Sequence, residues 1–253
     1  MERIPENGAM NLPAEVAAYD RLSRDHLPFV EDRFVRRCLK FLRRLHLPAG
    51  AHVVDVGTGP ARIPIRCLCW DPTLRIIGVD LSWAMLRRAA ANVRAAGVDH
   101  RVRLVRADAR HLPLRSDAFD MSLTHSTLHH LPDPVAAMAE MVRVTAPGRP
   151  LVIRDLRRPP RVFLWLYLRI FGHGYDGDMK RMYRESLQAG FSVREMRRMG
   201  TALQQTAIRV RRFFITHVGL EGYREQEPYD APRTASRTMS GKERHPSGNG
   251  AAW

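Results

Sequence analysis

Between residues 51 and 156 the chain repeats one alternation: a short Val- and Ile-rich run, a turn, and a helical run before the next. The apolar runs read "AHVVDVG" at 51–57, "LRIIGVD" at 74–80, "RVRLVRADA" at 101–109, "FDMSLTHS" at 119–126 and "RPLVIRDL" at 149–156. Each has strand length and strand composition. The helical runs carry their own punctuation. Asp71-Pro72 ends "RIPIRCLCW", Ser82 caps and Gly97 stops "SWAMLRRAAANVRAAG", and Pro134 opens "DPVAAMAEMVRVTAPG" from its first turn. Strands joined by helical crossovers of this length pair in parallel, with right-handed connections. The expected fold is therefore α/β: a doubly wound, Rossmann-like domain around a mostly parallel sheet.

The flanks add to this frame. Residues 13–47 place apolar side chains at helical spacing with a break at Pro28, giving N-terminal helical additions over 1–47 that close over the domain as a lid. "QQTAIRVRR" and "FFITHVGL", within 204–220, predict a C-terminal antiparallel hairpin. The central domain spans 48–220, with a largely helical insertion at 157–200 on the substrate side. Residues 1–12 read as polar and loose. From 221 to 253 the chain is rich in Arg, Pro, Ser and Gly, which predicts a disordered tail.

The first strand runs into "DVGTGPAR", and two glycines there let the backbone turn sharply and approach a ligand closely. A triphosphate loop is excluded, because no Gly-Lys-Ser/Thr follows and the turn holds no lysine. The dinucleotide fingerprint needs a third glycine where Arg62 stands. Ligands of such sheets sit over the carboxyl ends of the strands, and three acids fall there. Asp55 adjoins Gly57, Thr58 and Gly59; Asp80 is followed by Leu81; Asp108 is followed by Ala109. Asp80 can accept both hydroxyls of a ribose, and Asp108 can accept an adenine amino group while the next backbone amide faces the ring. Ribose and adenine contacts without phosphate chemistry fit a nucleoside with a cationic or amino-acid tail.

Residues 50–155, and more loosely those to 220, resemble the class I S-adenosylmethionine-dependent methyltransferases. The resemblance lies in "VVDVGTGPARIPI", "IIGVDLSWAMLRRAAANV", "VRLVRADARHLPLRSDAFDMSLTHSTLHHLPDP" and "VTAPGRPLVIRDL". "LHHLPDP" and "LPLRSDAFD" are most similar to the small-molecule branch that includes the ubiquinone and menaquinone C-methyltransferases. The resemblance implies S-adenosylmethionine as cofactor. It implies a cofactor site of Asp55, Gly57, Thr58, Gly59, Asp80, Leu81, Asp108, Ala109 and His125, with the glycines against the methionine part. Two positions depart from the family pattern: "PGRP" replaces Pro-Gly-Gly, and His125 stands where Asn or Ser is usual.

Transfer from a sulfonium is an in-line displacement, so alignment dominates and a base is needed only where the nucleophile carries a proton. Among His125, His129 and His130 the expected general base is His125, with His129 second. No metal is expected, since the three histidines lie on a turn without a fixed ligating face. Cys38, Cys67 and Cys69 read as packing residues in a reducing, cytoplasmic setting. The run "VFLWLYLRIF" at 162–171, between Arg161 and Arg169, reads as a buried helix for most of its side chains. Its other reading is an interfacial helix that admits a lipophilic acceptor and makes peripheral membrane contact. Tyr19 and His26 are expected to close over the same mouth.

The net charge of +15 invites nucleic acid as partner. However, only three of the 41 basic residues are lysine and the arginines are scattered, which is a bias of the whole chain rather than a patch. The leading expectation is an enzyme that methylates a small aromatic or apolar acceptor at carbon or oxygen. The alternatives are a nucleic-acid methyltransferase or binding module, and a non-catalytic cofactor-binding protein.

Overall fold

The computed structural model describes residues 3–4, 10–47, 49–175, 177–205, 207–213 and 215–226. Its centre is a seven-stranded sheet built from β1 (His52–Val56), β2 (Arg75–Asp80), β3 (Val102–Arg106), β4 (Met121–His125), β5 (Pro150–Leu156), β6 (Ile208–Phe213) and β7 (His217–Tyr223). The strand order is β3-β2-β1-β4-β5-β7-β6. The first five strands pair in parallel, whereas β7 runs antiparallel to both β5 and β6. The chain winds outward from β1 to β3, returns to β4 on the other side of β1, and winds outward again. The crevice between the carboxyl ends of β1 and β4 is therefore the switch point where such sheets hold ligands.

Helices cover both faces: α1 (Pro13–His26), α2 (Pro28–Arg44), α3 (Arg62–Trp70), α4 (Trp83–Ala95), α5 (Pro134–Val144), α6 (Leu164–Phe171), α7 (Gly177–Ala189) and α8 (Val193–Ala202). The starts follow from local chemistry. Proline opens α1, α2 and α5, where a missing N–H costs nothing. Ser82 accepts from the Met85 amide, Asp133 from the Ala136 amide, and Ser192 forms a capping box with Glu195. Alternate strand residues feed two cores. Val53, Ile76, Leu123 and Val152 pack with α2 and α3, while Val54, Val79, Leu151 and Ile153 pack with α5 and α8.

Several expectations about the flanks are corrected. Phe34, Val35 and Cys38 of α2 are fully buried in the first core, so this helix is part of the domain rather than a separable lid. Arg3 is tied down through its guanidinium to the carbonyls of Ala189 and His129, at 2.8 and 3.0 Å. Within 157–200, α8 belongs to the core through Met196, and only α6 and α7 lie on the substrate side. Residues 221–223 complete β7, with Glu221 buried and paired to Arg37, because main-chain pairing with β5 outweighs a polar composition. Residues 227–253 of the expected tail lie outside the described residues. The run at 162–171 is not a buried helix: Leu168 is buried, while Trp165 is 64% exposed and Val162, Phe163 and Ile170 also face out. Cys38 and Cys67 pack in the core as expected, but Cys69 is exposed, one helical step off the buried stripe of α3.

Candidate functional site

The turn after β1 is built to leave space. Gly57 has φ +76°, and a Cβ there would stand 2.1 Å from the Thr127 side chain, so only glycine fits. Its amide and that of Thr58 both donate to the Val79 carbonyl, at 2.8 and 2.9 Å, which ties the turn to β2. Gly59 has φ +52°, and a Cβ there would meet only the Tyr19 ring, at 3.9 Å. The gap between the turn and Tyr19 is part of a cavity of about 410 Å³.

Every residue expected in the cofactor site borders this cavity: Asp55, Gly57, Thr58 and Gly59 after β1, Asp80 and Leu81 after β2, Asp108 and Ala109 after β3, and His125 at the end of β4. The three acids differ in state. Asp55 is buried within β1 and accepts from the Thr58 hydroxyl at 2.8 Å; burial pushes its pKa up to about 7. It braces the turn from beneath. Asp80 accepts from the Gly59 amide at 2.8 Å and the Ser82 amide at 2.9 Å, and burial raises its pKa above the usual carboxylate value despite those bonds. Asp108 is gripped by Arg110 at 2.6–3.1 Å, and that pairing lowers its pKa. An adenine amino group would share Asp108 with Arg110.

The donor set fits S-adenosylmethionine. The turn would present backbone and a gap to a methionine part, the Asp80 carboxylate has lone pairs that ribose hydroxyls could meet, and the turn has no lysine or third glycine to provide for phosphate. Tyr19 of α1 borders the cavity as expected; Met10 and Glu31 also border it and were not anticipated. The side chain of His26 lies outside the described ones.

A second cavity, of about 740 Å³, adjoins the first, and Tyr19, His125, Ser126 and His130 border both. Its walls come from α2, α6, α7 and the β6–β7 hairpin, and include Phe29, Tyr175, Tyr183 and Phe213. The histidines separate here. His125 contacts the Arg154 guanidinium through Nε2; arginine has no acceptor, so Nε2 accepts and the ring proton sits on Nδ1. Burial, with Arg154 adding to it, holds the His125 pKa well below the ordinary value. The lone pair expected to act as base is thus already engaged. His129, buried in the turn after β4, hydrogen-bonds through Nδ1 to Asp155 Oδ1 at 2.7 Å and borders the second cavity.

Asp155 was missed, although it stands one residue before the end of β5, close to the place Asp80 holds in β2, and carrying the strand-end reading to the fifth strand would have found it. Among the described residues no cluster of three or more His, Cys, Asp or Glu is arranged to hold a metal ion, and no helix is long and apolar enough to cross a membrane. Many arginines are spent internally: Arg66 pairs with Glu31, Arg88 with Asp20 and Arg158 with Glu195.

Residues 54–153 match the family model described as a methyltransferase domain. The chain is 34% identical over 149 residues to a demethylmenaquinone methyltransferase of Lactiplantibacillus plantarum, covering 53% of this chain and 62% of that relative. It is 30% identical over 180 residues to the ubiquinone/menaquinone biosynthesis C-methyltransferase UbiE of Syntrophotalea carbinolica, covering 68% of this chain and 74% of that one. Thus it spans less than two thirds of the first relative and more than two thirds of the second. The crystal structure of a SAM-dependent methyltransferase from Aquifex aeolicus superposes with a TM-score of 0.57 at 21% identity, over 83% of this chain and 97% of that one.

Proposed function

Because the chain belongs to the class I S-adenosylmethionine-dependent methyltransferases, we propose that it methylates a small aromatic or apolar acceptor held in the second cavity. The observation that carries this reading is the pair of adjoining cavities, the first bordered by the glycine turn and strand-end acids and the second by aromatic rings. When bound, S-adenosylmethionine supplies an electrophilic methyl group on a sulfonium. The protein's part is to align and to exclude water. Gly57 and Gly59 make room for the methionine part, Asp80 holds the ribose, and Asp108 with Ala109 borders the adenine. His125, at the junction, is a positioning group rather than a base. Where the acceptor carries a proton, His129 takes it: with Nδ1–H given to Asp155, the basic lone pair is on Nε2.

Calorimetric titration tests this first. Saturable binding of S-adenosylmethionine and S-adenosylhomocysteine, with none of NAD, is the expected result. A folded sample that binds neither would sink the reading and leave a non-catalytic role.

The exposed row Val162, Phe163, Trp165 and Ile170 lies beside the second cavity, which Ile170 and Phe29 border, and Arg161 and Arg169 flank it. This supports peripheral contact with an anionic lipid surface, by which a lipophilic acceptor would enter. In co-sedimentation with vesicles containing an anionic lipid, the double substitution Trp165→Ser, Ile170→Ser is expected to reduce the bound fraction several-fold. An unchanged fraction argues for a soluble acceptor.

A further inference from the structure

Arg154 is a buried cation without a buried anion. It lies on β5 directly beside His125 of β4, on the face covered by α2, and is 3% exposed. Placing a guanidinium there is costly unless a counter-charge and hydrogen bonds compensate. Elsewhere in this molecule they do: buried Arg158 is held by Glu195 through two contacts of 2.7 Å, and buried Asp20, Glu31 and Glu221 each have an arginine. Arg154 has no carboxylate within ion-pair distance among the described residues. Its Nη2 donates to the Val30 carbonyl at 2.9 Å and to His125 Nε2, which uses both hydrogens of that nitrogen. Nε is fully buried with no partner, and Nη1 makes no hydrogen bond among the described residues. Three of five donors are unspent. The nearby Glu31 carboxylate is taken by Arg66 at 2.7 Å, and the Phe34 and Phe213 rings flank the guanidinium at 4.6 and 5.9 Å. Burial pushes its pKa down to about 9, only partly opposed by the Glu31 carboxylate.

The residue borders the second cavity, and its neighbour His125 borders both cavities. We propose that Arg154 binds an anionic group, a carboxylate or a phenolate, on an aromatic acceptor, so that this enzyme selects acidic aromatic molecules over neutral ones of the same shape. The proposal rests on the second cavity being the acceptor site. The chemistry follows from the inventory: a guanidinium whose Nη1 hydrogens are unspent binds an oxyanion through charge-assisted hydrogen bonds from that nitrogen, and the flanking phenyl rings suit an attached aromatic ring. Arg33 and Arg212, also on the cavity wall, extend the positive field toward the entrance.

The test is binding to protein saturated with S-adenosylhomocysteine, using two matched pairs of probes: benzoate against benzamide, and 4-nitrophenolate against 4-nitroanisole in mildly alkaline buffer. At least one anion is expected to bind about 10-fold to 100-fold more tightly than its neutral partner, the range of a charged hydrogen-bonded contact. Bound 4-nitrophenol is expected to ionise at lower pH than free. Preference confined to benzoate identifies a carboxylate acceptor, and preference confined to nitrophenolate a phenolate one. Arg154→Met should erase the preference with unchanged S-adenosylhomocysteine affinity, and Arg154→Lys should retain part of it. Equal binding of anion and neutral partner by the unsubstituted protein, binding of no anion, or a preference that survives Arg154→Met overturns the proposal. Should Arg154→Met not fold, the wild-type pairs and Arg154→Lys decide. Failure of S-adenosylhomocysteine to bind is a separate result, which removes the cofactor reading instead.

Discussion

Asp80→Ala is expected to weaken S-adenosylmethionine binding by about 100-fold or more while the protein stays folded. The carboxylate is the one group at the end of β2 that can accept two ribose hydroxyls, and each charge-assisted bond is worth about 1.5–3 kcal/mol. Losing two such bonds removes about 3 kcal/mol or more, and each 1.4 kcal/mol is about tenfold in affinity. The substitution also releases the amides of Gly59 and Ser82, now held at 2.8 and 2.9 Å. Both residues border the cavity, so water can replace the lost acceptor and the stability cost stays at about 1–2 kcal/mol. Because burial raises the Asp80 pKa, protonation in acid should mimic the substitution and weaken binding at a pH where an exposed aspartate is still ionised. Calorimetry on the two proteins, with thermal unfolding as control, gives the answer. Equal affinities would show that this cavity is not a ribose site.

Asp155→Ala is expected to do the opposite, sparing the cofactor and damaging both stability and transfer. Asp155 is 0% exposed and accepts from the amides of Thr127 and Leu128, from its own neighbour Leu156, and from His129 Nδ1, at 2.6–3.1 Å. Removing it strands these donors and the imidazole in a dry interior, at about 3–5 kcal/mol. For a domain of this size that is a fall in melting temperature of about 6–20 °C. The pH dependence has a definite sign. Burial alone would raise the Asp155 pKa, but His129 and the backbone amides bring it below the usual value. A depressed folded-state pKa contributes stability above the unfolded value of about 4, lost as pH falls toward the folded one. The wild-type protein should therefore lose stability on acidification through that range more steeply than the variant. Transfer should fall about 100-fold to 10,000-fold if His129 is the base that Asp155 orients. Full activity at permissive temperature would reduce the pair to a structural tie.

The parts legible in the sequence were those written in local patterns. Val53 to Val56 and Arg75 to Asp80 read as strands because strand composition and turn residues are properties of a few neighbours. Ser82 and Pro134 marked helix starts because capping acts within one turn. Gly57 and Gly59 with Asp80 pointed to a nucleoside because they share the carboxyl ends of adjacent parallel strands, which the crossover rule already implies. The misreadings came where the outcome depended on distant chain. "VFLWLYLRIF" looked like core because it is apolar, yet helices buried elsewhere had already filled both faces of the sheet. Glu221 looked like tail because it opens a polar stretch, yet β5 offered its edge to that strand.

The histidines draw the line between the two kinds of knowledge. Sequence alone placed His125, His129 and His130 at the end of β4 and so beside the ligand, because the period of the strand and the direction of the crossover require it. Which of them is engaged, and by what, was decided only by tertiary structure. The β4–β5 register sets His125 beside Arg154, and alternation along β5 turns Asp155 to the opposite face, where it meets His129 from 26 residues away. A one-residue slip in that register would exchange the two arrangements. Whether an imidazole is a base, and whether a buried arginine lacks its anion, are facts about pairs of groups in a common low-dielectric space. No local pattern along the chain encodes them.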